Sequence, residues 1–169
     1  MIDGNIALIG FMGTGKTTIG RLLAKKLQKE FIETDDLIEN RARKTIPRIF
    51  KEDGESKFRE LETEAIREAA EVEGSVISCG GGAVLNKINV DRLREKAAII
   101  LLEASPEEVF RRTSGGERPL LAGDRLKKIK LLLKKREPFY SDAADYRIDT
   151  TELDVEAVLD KILSWVGEG

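Results

Sequence analysis

The chain lacks several residue types on which common catalytic sites depend. Its 169 residues include no histidine, a single cysteine at Cys79, and only 5% aromatic residues. The absence of histidine excludes histidine-based triads, imidazole metal ligands and the usual neutral-pH general base. Proton chemistry therefore has to use carboxylates or lysine. One cysteine excludes a disulfide framework, so we expect Cys79 to be a buried, inert thiol.

Long apolar runs and targeting patterns are also missing. No apolar stretch approaches the roughly 20 residues of a transmembrane helix, and no secretory signal pattern opens the sequence. The length suits one domain over residues 1–169, and we expect a cytoplasmic monomer without membrane segments. The formal net charge is −2, but residues 111–136 carry ten bases and two acids. Without interleaved aromatics, this segment suits a compact anion better than nucleic acid.

Short apolar runs alternate with helical patterns along the whole chain. The runs are NIALIG, FIET, SVISCGG, AAIILLEA and YRIDT, and helices are predicted from Lys16 to Lys29, up to about Val72, and after the last run. Apolar strands without alternation are typical of a parallel sheet that is covered on both faces. The pattern therefore predicts βαβ units and a doubly wound α/β fold.

A stretch rich in glycine interrupts this pattern between two predicted helices. Residues 113–124, TSGGERPLLAGD, read as an irregular segment with Gly115, Gly116 and Gly123 as hinges. Loops of this length in compact domains are usually functional or disordered. We predict a mobile flap here.

The first predicted strand leads into a phosphate-binding motif. The segment from Gly10 to Thr17 fits G-x-x-x-x-G-K-[ST] and lies at the head of the first predicted helix. Backbone N–H groups of such a loop converge on phosphate oxygens, while Lys16 reaches the β and γ phosphates and Thr17 offers a hydroxyl to Mg²⁺. The motif predicts a nucleoside triphosphate site but leaves kinase, GTPase and ATPase open. The sequence NKIN at Asn86 lacks the aspartate of a guanine motif.

Three further features suggest a second ligand. Acids follow the second strand in ETDD, three glycines follow the third strand in CGGG, and two arginines stand out at Arg59 and Arg136. Ligands of open α/β sheets bind outside the carboxyl ends of the strands, so these features should share a cleft with the phosphate loop. Two simpler readings remain, a flexible turn for the glycines and helix capping for Asp35 or Asp36.

Six motifs taken together resemble one known family. GFMGTGKTTIGRLLA, FIETDDLIE, IFKEDGESKFRELE, SCGGGAV, RPLL and KKREPFYSDAADY occur in the order and approximate spacing of shikimate kinases. The resemblance implies a P-loop NTPase with a nucleoside-monophosphate-kinase-like three-layer fold, a five-stranded parallel sheet in the order 2-3-1-4-5, substrate-binding helices over about 35–72 and a mobile lid over about 113–125. It also implies ATP-dependent phosphorylation of the 3-hydroxyl of shikimate in aromatic amino-acid biosynthesis.

The resemblance also implies roles for individual residues. Asp35 would bind the substrate hydroxyls and orient or deprotonate the attacking one, while Lys16 and the lid residue Arg118 would offset phosphoryl charge. Thr17 and Glu33 would hold Mg²⁺, although the family commonly has Asp at the second of these positions. The resemblance further implies that Arg59 and Arg136 bind the substrate carboxylate and that Gly80, Gly81 and Gly82 line its pocket. The residues implied to contact ATP are Gly13, Thr14, Gly15, Lys16, Thr17, Thr18, Arg112 and Arg118.

A second departure from the family and two alternative functions accompany this reading. The family often places a basic residue and a proline beside the adenine, but the segment TTELDVE from Thr150 has neither, which points to backbone contacts with the base. A kinase of another small hydroxy acid, such as gluconate, would share the fold. A nucleotide-binding module that has lost turnover is the alternative from a different class.

Overall fold

The structure is a computed structural model that describes residues 4–115 and 119–168, with the side chains of residues 119–122 and 168 excepted. Five strands form one parallel sheet in the order β2-β3-β1-β4-β5, as predicted. The strands are β1 (Asn5–Ile9), β2 (Glu30–Glu33), β3 (Ser75–Ser78), β4 (Ala97–Glu103) and β5 (Tyr146–Asp149). The helices are α1 (Lys16–Leu27), α2 (Thr34–Ala42), α3 (Ile46–Glu52), α4 (Gly54–Glu71), α5 (Lys87–Lys96), α6 (Pro106–Thr113), α7 (Pro119–Ala143) and α8 (Val155–Glu168), with a short 3₁₀ helix at Ala83–Leu85.

Strand β1 lies at the centre of the sheet and is buried on both faces. All five of its residues are buried, and they pair with β3 on one side and β4 on the other. Successive side chains of a strand point to opposite faces. Accordingly Ala7 and Ile9 belong to one hydrophobic core, whereas Ile6 and Leu8 belong to another. This arrangement explains why the strand sequence is apolar without alternation.

The two cores hold helices against opposite faces of the sheet. On one face, residues of α4, α5, α6 and α7 pack together, including Ile66, Leu93 and Val109. On the other face, α1 and α8 pack through Leu23 and Leu159. A third, smaller cluster joins α2, α3 and α4 at one end of the sheet, and its members are Ile38, Ile49, Phe58, Leu61 and Ala65. The predicted three-layer α/β fold is confirmed.

The segment predicted to be irregular over 113–124 is shorter in the structure. Helix α6 continues to Thr113 and α7 already begins at Pro119, so Gly123 lies inside a helix. Proline suits the first helical position because its missing N–H has no partner there in any case. Gly115 has a positive φ of 51°, while Gly116 and Arg118 lie outside the described residues. The role of residues 113–125 as a lid stays a prediction.

Helix α1 is also shorter than predicted. It ends at Leu27 instead of Lys29, because Gln28 adopts the left-handed conformation that closes a helix. In the described part of the chain, none of the helices combines the length and the apolar character that crossing a membrane would require.

Candidate active site

The phosphate loop connects β1 to α1 at the carboxyl edge of the sheet. Gly10 has a φ of 143°, and a Cβ there would lie 2.2 Å from the carbonyl oxygen of Leu102. Only glycine can therefore occupy this position. Gly13 and Gly15, both predicted to bind ATP, also have positive φ values, and the buried Thr14 between them donates a hydrogen bond to the carbonyl of Phe11. The positive φ angles of the glycines and the Thr14 hydrogen bond together define the course of the loop.

Lys16 is folded back onto the loop that carries it. Its Nζ atom donates to the carbonyl oxygens of Gly10 at 2.7 Å and Phe11 at 2.9 Å. Burial lowers the pKa of Lys16 to about 8, although Glu33 and Asp35 act in the opposite direction. A phosphate ligand would have to replace the two carbonyl contacts and would favour the charged ammonium.

Thr17 and Glu33 form the predicted metal pair. The Thr17 hydroxyl donates to Glu33 Oε2 at 2.7 Å, across the gap between α1 and the end of β2. Burial raises the pKa of Glu33, and the hydrogen bond from Thr17 opposes this rise. Over the described residues, no group of three or more acidic, cysteine or histidine side chains is placed to hold a metal. Two protein oxygens beside a phosphate site fit Mg²⁺, which is usually bound by one or two protein groups together with phosphates and water.

The triple glycine after β3 lies directly against the predicted substrate residues. A Cβ at any of the three positions would come close to one of these side chains. The distances from such a carbon are 3.0 Å to Asp35 Oδ1 at Gly80, 3.3 Å to Arg136 Nη1 at Gly81 and 2.5 Å to Arg59 Nη1 at Gly82. The structure therefore brings the predicted acid and both arginines together around the glycine segment. A Cβ would crowd these side-chain ends at all three positions, and at Gly82 the guanidinium of Arg59 would have to shift, so the glycines do more than provide a flexible turn.

Asp35 lies in the first turn of α2, immediately after β2. The preceding residue, Thr34, is buried and connects the ends of two strands, because its hydroxyl donates to the carbonyl of Ser78 and accepts from the N–H of Gly80. These bonds hold Asp35 beside the glycine segment. Burial raises the pKa of Asp35, while Lys16 lowers it. Asp36 is exposed, so the two neighbouring acids have different environments.

Glu62 is a site residue that the sequence did not single out. It is 1% exposed, and its Oε1 accepts from Arg59 Nη1 at 2.8 Å, one turn away on α4. Its Oε2 lies 3.1 Å from where a Cβ of Gly80 would be, and it has no hydrogen-bond partner among the described residues. Burial raises the pKa of Glu62, and Arg59 opposes this shift. The spacing from Arg59 is a helical ion-pair spacing, which is the only signal for Glu62 in the sequence.

A cavity of about 640 Å³ lies on the other side of the phosphate loop. It is lined by Thr14, Gly15 and Thr18 from the loop and α1, by Arg112 from α6, and by residues 150–155. Arg112 links these parts of the wall. It donates to the carbonyl of Gly13, to both oxygens of Thr150 and to a carboxylate oxygen of Glu108. Of the predicted ATP residues, Thr14, Gly15, Thr18 and Arg112 line this cavity, whereas Gly13, Lys16 and Thr17 line the next one. Arg118 lies outside the described residues.

A second cavity, of about 340 Å³, joins the phosphate loop to the glycine segment. Gly15 and Thr18 line both cavities, so the two lie next to each other. The second one is also lined by Lys16, Thr17, Glu33, Asp35, Gly80 and Gly81. Cys79 borders it but is fully buried, and burial raises the pKa of its thiol to about 12. The prediction that the thiol is buried is confirmed, and its inertness stays a prediction.

Comparisons of this chain with known families, sequences and structures give the same family. A family model described as shikimate kinase matches residues 12–167 of this chain. A shikimate kinase of Caldanaerobacter subterraneus subsp. tengcongensis is 46% identical over 161 residues, which are 94% of either chain. One of Pelotomaculum thermopropionicum is 46% identical over 166 residues, covering 97% of this chain and 96% of its own. The structure of shikimate kinase from Acinetobacter baumannii in complex with shikimate has a TM-score of 0.90 at 36% identity, covering 98% of this chain and 93% of that one.

Proposed function

The chain belongs to the shikimate kinase family, and from this premise we propose that it transfers the γ-phosphoryl group of ATP to the 3-hydroxyl of shikimate. The products are shikimate 3-phosphate and ADP. One observation carries this proposal: the phosphate loop, Asp35 and the glycine segment line a single cavity, next to the larger cavity that suits the rest of a nucleotide. The two ligands then meet at the Lys16 end of the loop.

The substrate carboxylate is bound by Arg59 and Arg136. Both guanidinium groups face the glycine segment, and the Nε atom of Arg136 is buried without a hydrogen-bond partner among the described residues. Buried donors of this kind are rare unless a ligand or water pairs with them. A planar guanidinium matches a carboxylate through two parallel hydrogen bonds, which a lysine cannot reproduce. Glu62 holds Arg59 in place through their ion pair.

Asp35 binds the hydroxyl that attacks the phosphoryl group. Its partly buried position raises its pKa, which makes the carboxylate a better proton acceptor than an exposed aspartate. Thr34 and the glycine segment fix its position relative to β3. The carboxylate therefore orients the 3-hydroxyl toward the phosphate loop and accepts its proton.

Lys16, Thr17 and Glu33 act on the phosphate side of the cavity. On ATP binding, Lys16 exchanges its two carbonyl contacts for phosphate oxygens. The residues that would hold Mg²⁺ are Thr17 and Glu33, and the ion would supply charge neutralisation at the phosphates. Arg118, which lies outside the described residues, is proposed to reach the phosphates from the lid. An arginine in this role can contribute roughly 10³ to 10⁵ in rate.

The adenine occupies the larger cavity beside Arg112. Four hydrogen bonds to protein atoms hold the guanidinium plane of Arg112, so its flat face is what remains for stacking on the base. Backbone groups of residues 150–155 complete this part of the site.

A cytoplasmic location and a monomeric state remain predictions.

Coupled detection of ADP release tests the function directly. Purified protein with ATP, Mg²⁺ and shikimate should release one ADP per shikimate 3-phosphate formed. Gluconate serves as the comparison substrate, and ATP alone measures the background. Turnover with gluconate but not shikimate would favour the related hydroxy-acid kinase, and ATP binding without turnover on either acid would favour the non-catalytic module.

A further inference from the structure

Tyr140 makes a buried contact that the proposed reaction does not use. It lies on α7, one turn after Arg136, and is 4% exposed. Its hydroxyl donates to the carbonyl oxygen of Gly81 at 2.6 Å. Burial raises the pKa of Tyr140, so the hydroxyl keeps its proton and remains a donor at neutral pH.

Gly81 lies between the two substrate regions. A Cβ at this position would be 3.3 Å from Arg136 Nη1, 3.6 Å from the carbonyl oxygen of Gly10 and 3.6 Å from the backbone nitrogen of Met12. The peptide units around Gly81 therefore contact the carboxylate-binding arginine on one side and the phosphate loop on the other. A small rotation of these peptide units would change their distance to Arg136 and their distance to the phosphate loop.

The backbone of α7 is weakened between Arg136 and Tyr140. Pro138 lies inside the helix, and because proline has no N–H, the carbonyl of Lys134 loses its usual helical donor. The ladder of backbone bonds is thus interrupted within the turn that carries Arg136. The hydrogen bond from the Tyr140 side chain to the Gly81 carbonyl can hold this part of α7 in place of the missing backbone bond.

We propose that Tyr140 is a positioning residue for the carboxylate pocket, acting through its hydrogen bond to the Gly81 carbonyl. The bond sets the distance between α7 and the glycine segment, and thereby the place of the Arg136 guanidinium beside the bound acid. The identity of that acid rests on the proposed function, whereas the link between α7 and the glycine segment does not.

The test removes only the hydroxyl, in the variant Tyr140→Phe. The matched control is Tyr146→Phe, because Tyr146 is the only other tyrosine and stacks on Trp165 at the edge strand, away from the site. A net hydrogen bond of ordinary strength corresponds to roughly 3- to 10-fold in an equilibrium constant. We expect Tyr140→Phe to raise the KM for shikimate by about that factor, with the KM for ATP and kcat within about twofold of wild type. Tyr146→Phe should leave all three unchanged.

Hydrogen exchange supplies a readout that does not depend on turnover. In Tyr140→Phe, amides in a peptide covering residues 79–85 should exchange faster than in wild type and in Tyr146→Phe. Unchanged exchange there would overturn the inference, and so would a KM for shikimate within twofold of wild type or an equal rise in both KM values. If wild-type protein did not phosphorylate shikimate, the proposed function would fail, and the exchange comparison alone would decide the role of Tyr140.

Discussion

The nucleotide side and the acid side of the site satisfy their polar groups in different ways. On the nucleotide side, Lys16 and Arg112 already donate to protein oxygens. On the acid side, Glu62 Oε2 and Arg136 Nε are buried without partners among the described residues. The two cations of the first region are thus paired with protein oxygens, whereas the second region has a buried donor and a buried acceptor that a ligand or water can pair with.

This difference has an energetic meaning. In the proposed role of Lys16, ATP displaces the two hydrogen bonds of its ammonium group, so part of the new interaction replaces one that is lost. An acid that binds Arg136 gives a partner to a buried donor that is costly to leave unpaired. Substitutions on the acid side should therefore have larger and more selective effects than substitutions that loosen the nucleotide side.

The largest effect is expected from replacing Asp35, the residue on the acid side that is proposed to take part in the reaction. Asp35→Asn should lower kcat by roughly 10² to 10⁴, because an amide cannot accept the hydroxyl proton. ATP affinity, measured by titration calorimetry, should remain within about twofold of wild type. Asp36→Asn is the matched control, since this neighbouring acid is exposed. An Asp35→Asn protein with wild-type kcat would disprove the role given to this carboxylate.

The carboxylate pocket itself is tested by Arg136→Lys. Lysine keeps the charge but loses the fork of parallel donors, and charged hydrogen bonds contribute about 1.5 to 3 kcal/mol. The KM for shikimate should rise roughly 10- to 100-fold in steady-state assays, whereas the KM for ATP should change little. The control is Lys135→Ala, at an exposed neighbouring position. A parallel rise in both KM values would remove the distinction between the two regions.

The pH dependence of ligand binding should also separate the two sides. Burial lowers the pKa of Lys16 to about 8, and a bound phosphate would favour the charged form, so ATP binding should draw in protons above pH 8. Below that pH the lysine is already charged and affinity is constant. ATP affinity should be about tenfold weaker at pH 9 than at pH 7, with about one proton taken up per ATP at pH 9.

Calorimetry in buffers of different ionisation enthalpy measures this proton uptake. Shikimate affinity should not fall over the same range, because guanidinium groups stay charged. Equal losses for the two ligands, or no uptake with ATP, would contradict the assignment of this ionisation to Lys16.

The smallest effect is expected from Thr150→Val. The Thr150 hydroxyl accepts from Arg112 and donates to the carbonyl of Glu103, but the backbone carbonyl of residue 150 continues to accept from Arg112. The KM for ATP should therefore rise only about two- to fivefold, in line with the loss of a partly compensated hydrogen bond. The KM for shikimate in the same assay is the internal control. A tenfold or larger change would mean that Arg112 depends on the hydroxyl more than on the carbonyl.

The elements that sequence patterns predicted correctly are those encoded locally. The apolar run of β1, the glycines of the phosphate loop and the order of strands and helices each depend on a short stretch of residues, and the sheet order followed from the family resemblance. Asp35 and the glycine segment could be placed in one cleft because the carboxyl ends of parallel strands share an edge. These predictions needed no knowledge of side-chain packing.

Glu62 and Tyr140 could not be predicted in this way. Glu62 is one of nine acids between residues 52 and 73, and the packing of α4 beside the glycine segment buries it while the others are exposed or half-buried. Tyr140 acquires its role through a backbone carbonyl 59 residues earlier in the chain. The early start of α7 was missed because the glycines around it were read as loop residues, although one of them lies within the helix.

Strand β1 lies between β3 and β4, so the two flanks of the sheet carry different parts of the candidate site. On one flank, β3 and β2 lead into the glycine segment and Asp35, and on the other flank β4 and β5 lead to Arg112 and residues 150–155, which line the larger cavity. Neighbouring strands are separated by about 4.8 Å, a spacing maintained by main-chain bonding and independent of rotamers. The relative placement of the phosphate loop after β1 and the glycine segment after β3 therefore follows from main-chain bonding between neighbouring strands, and not from the packing of the surrounding helices.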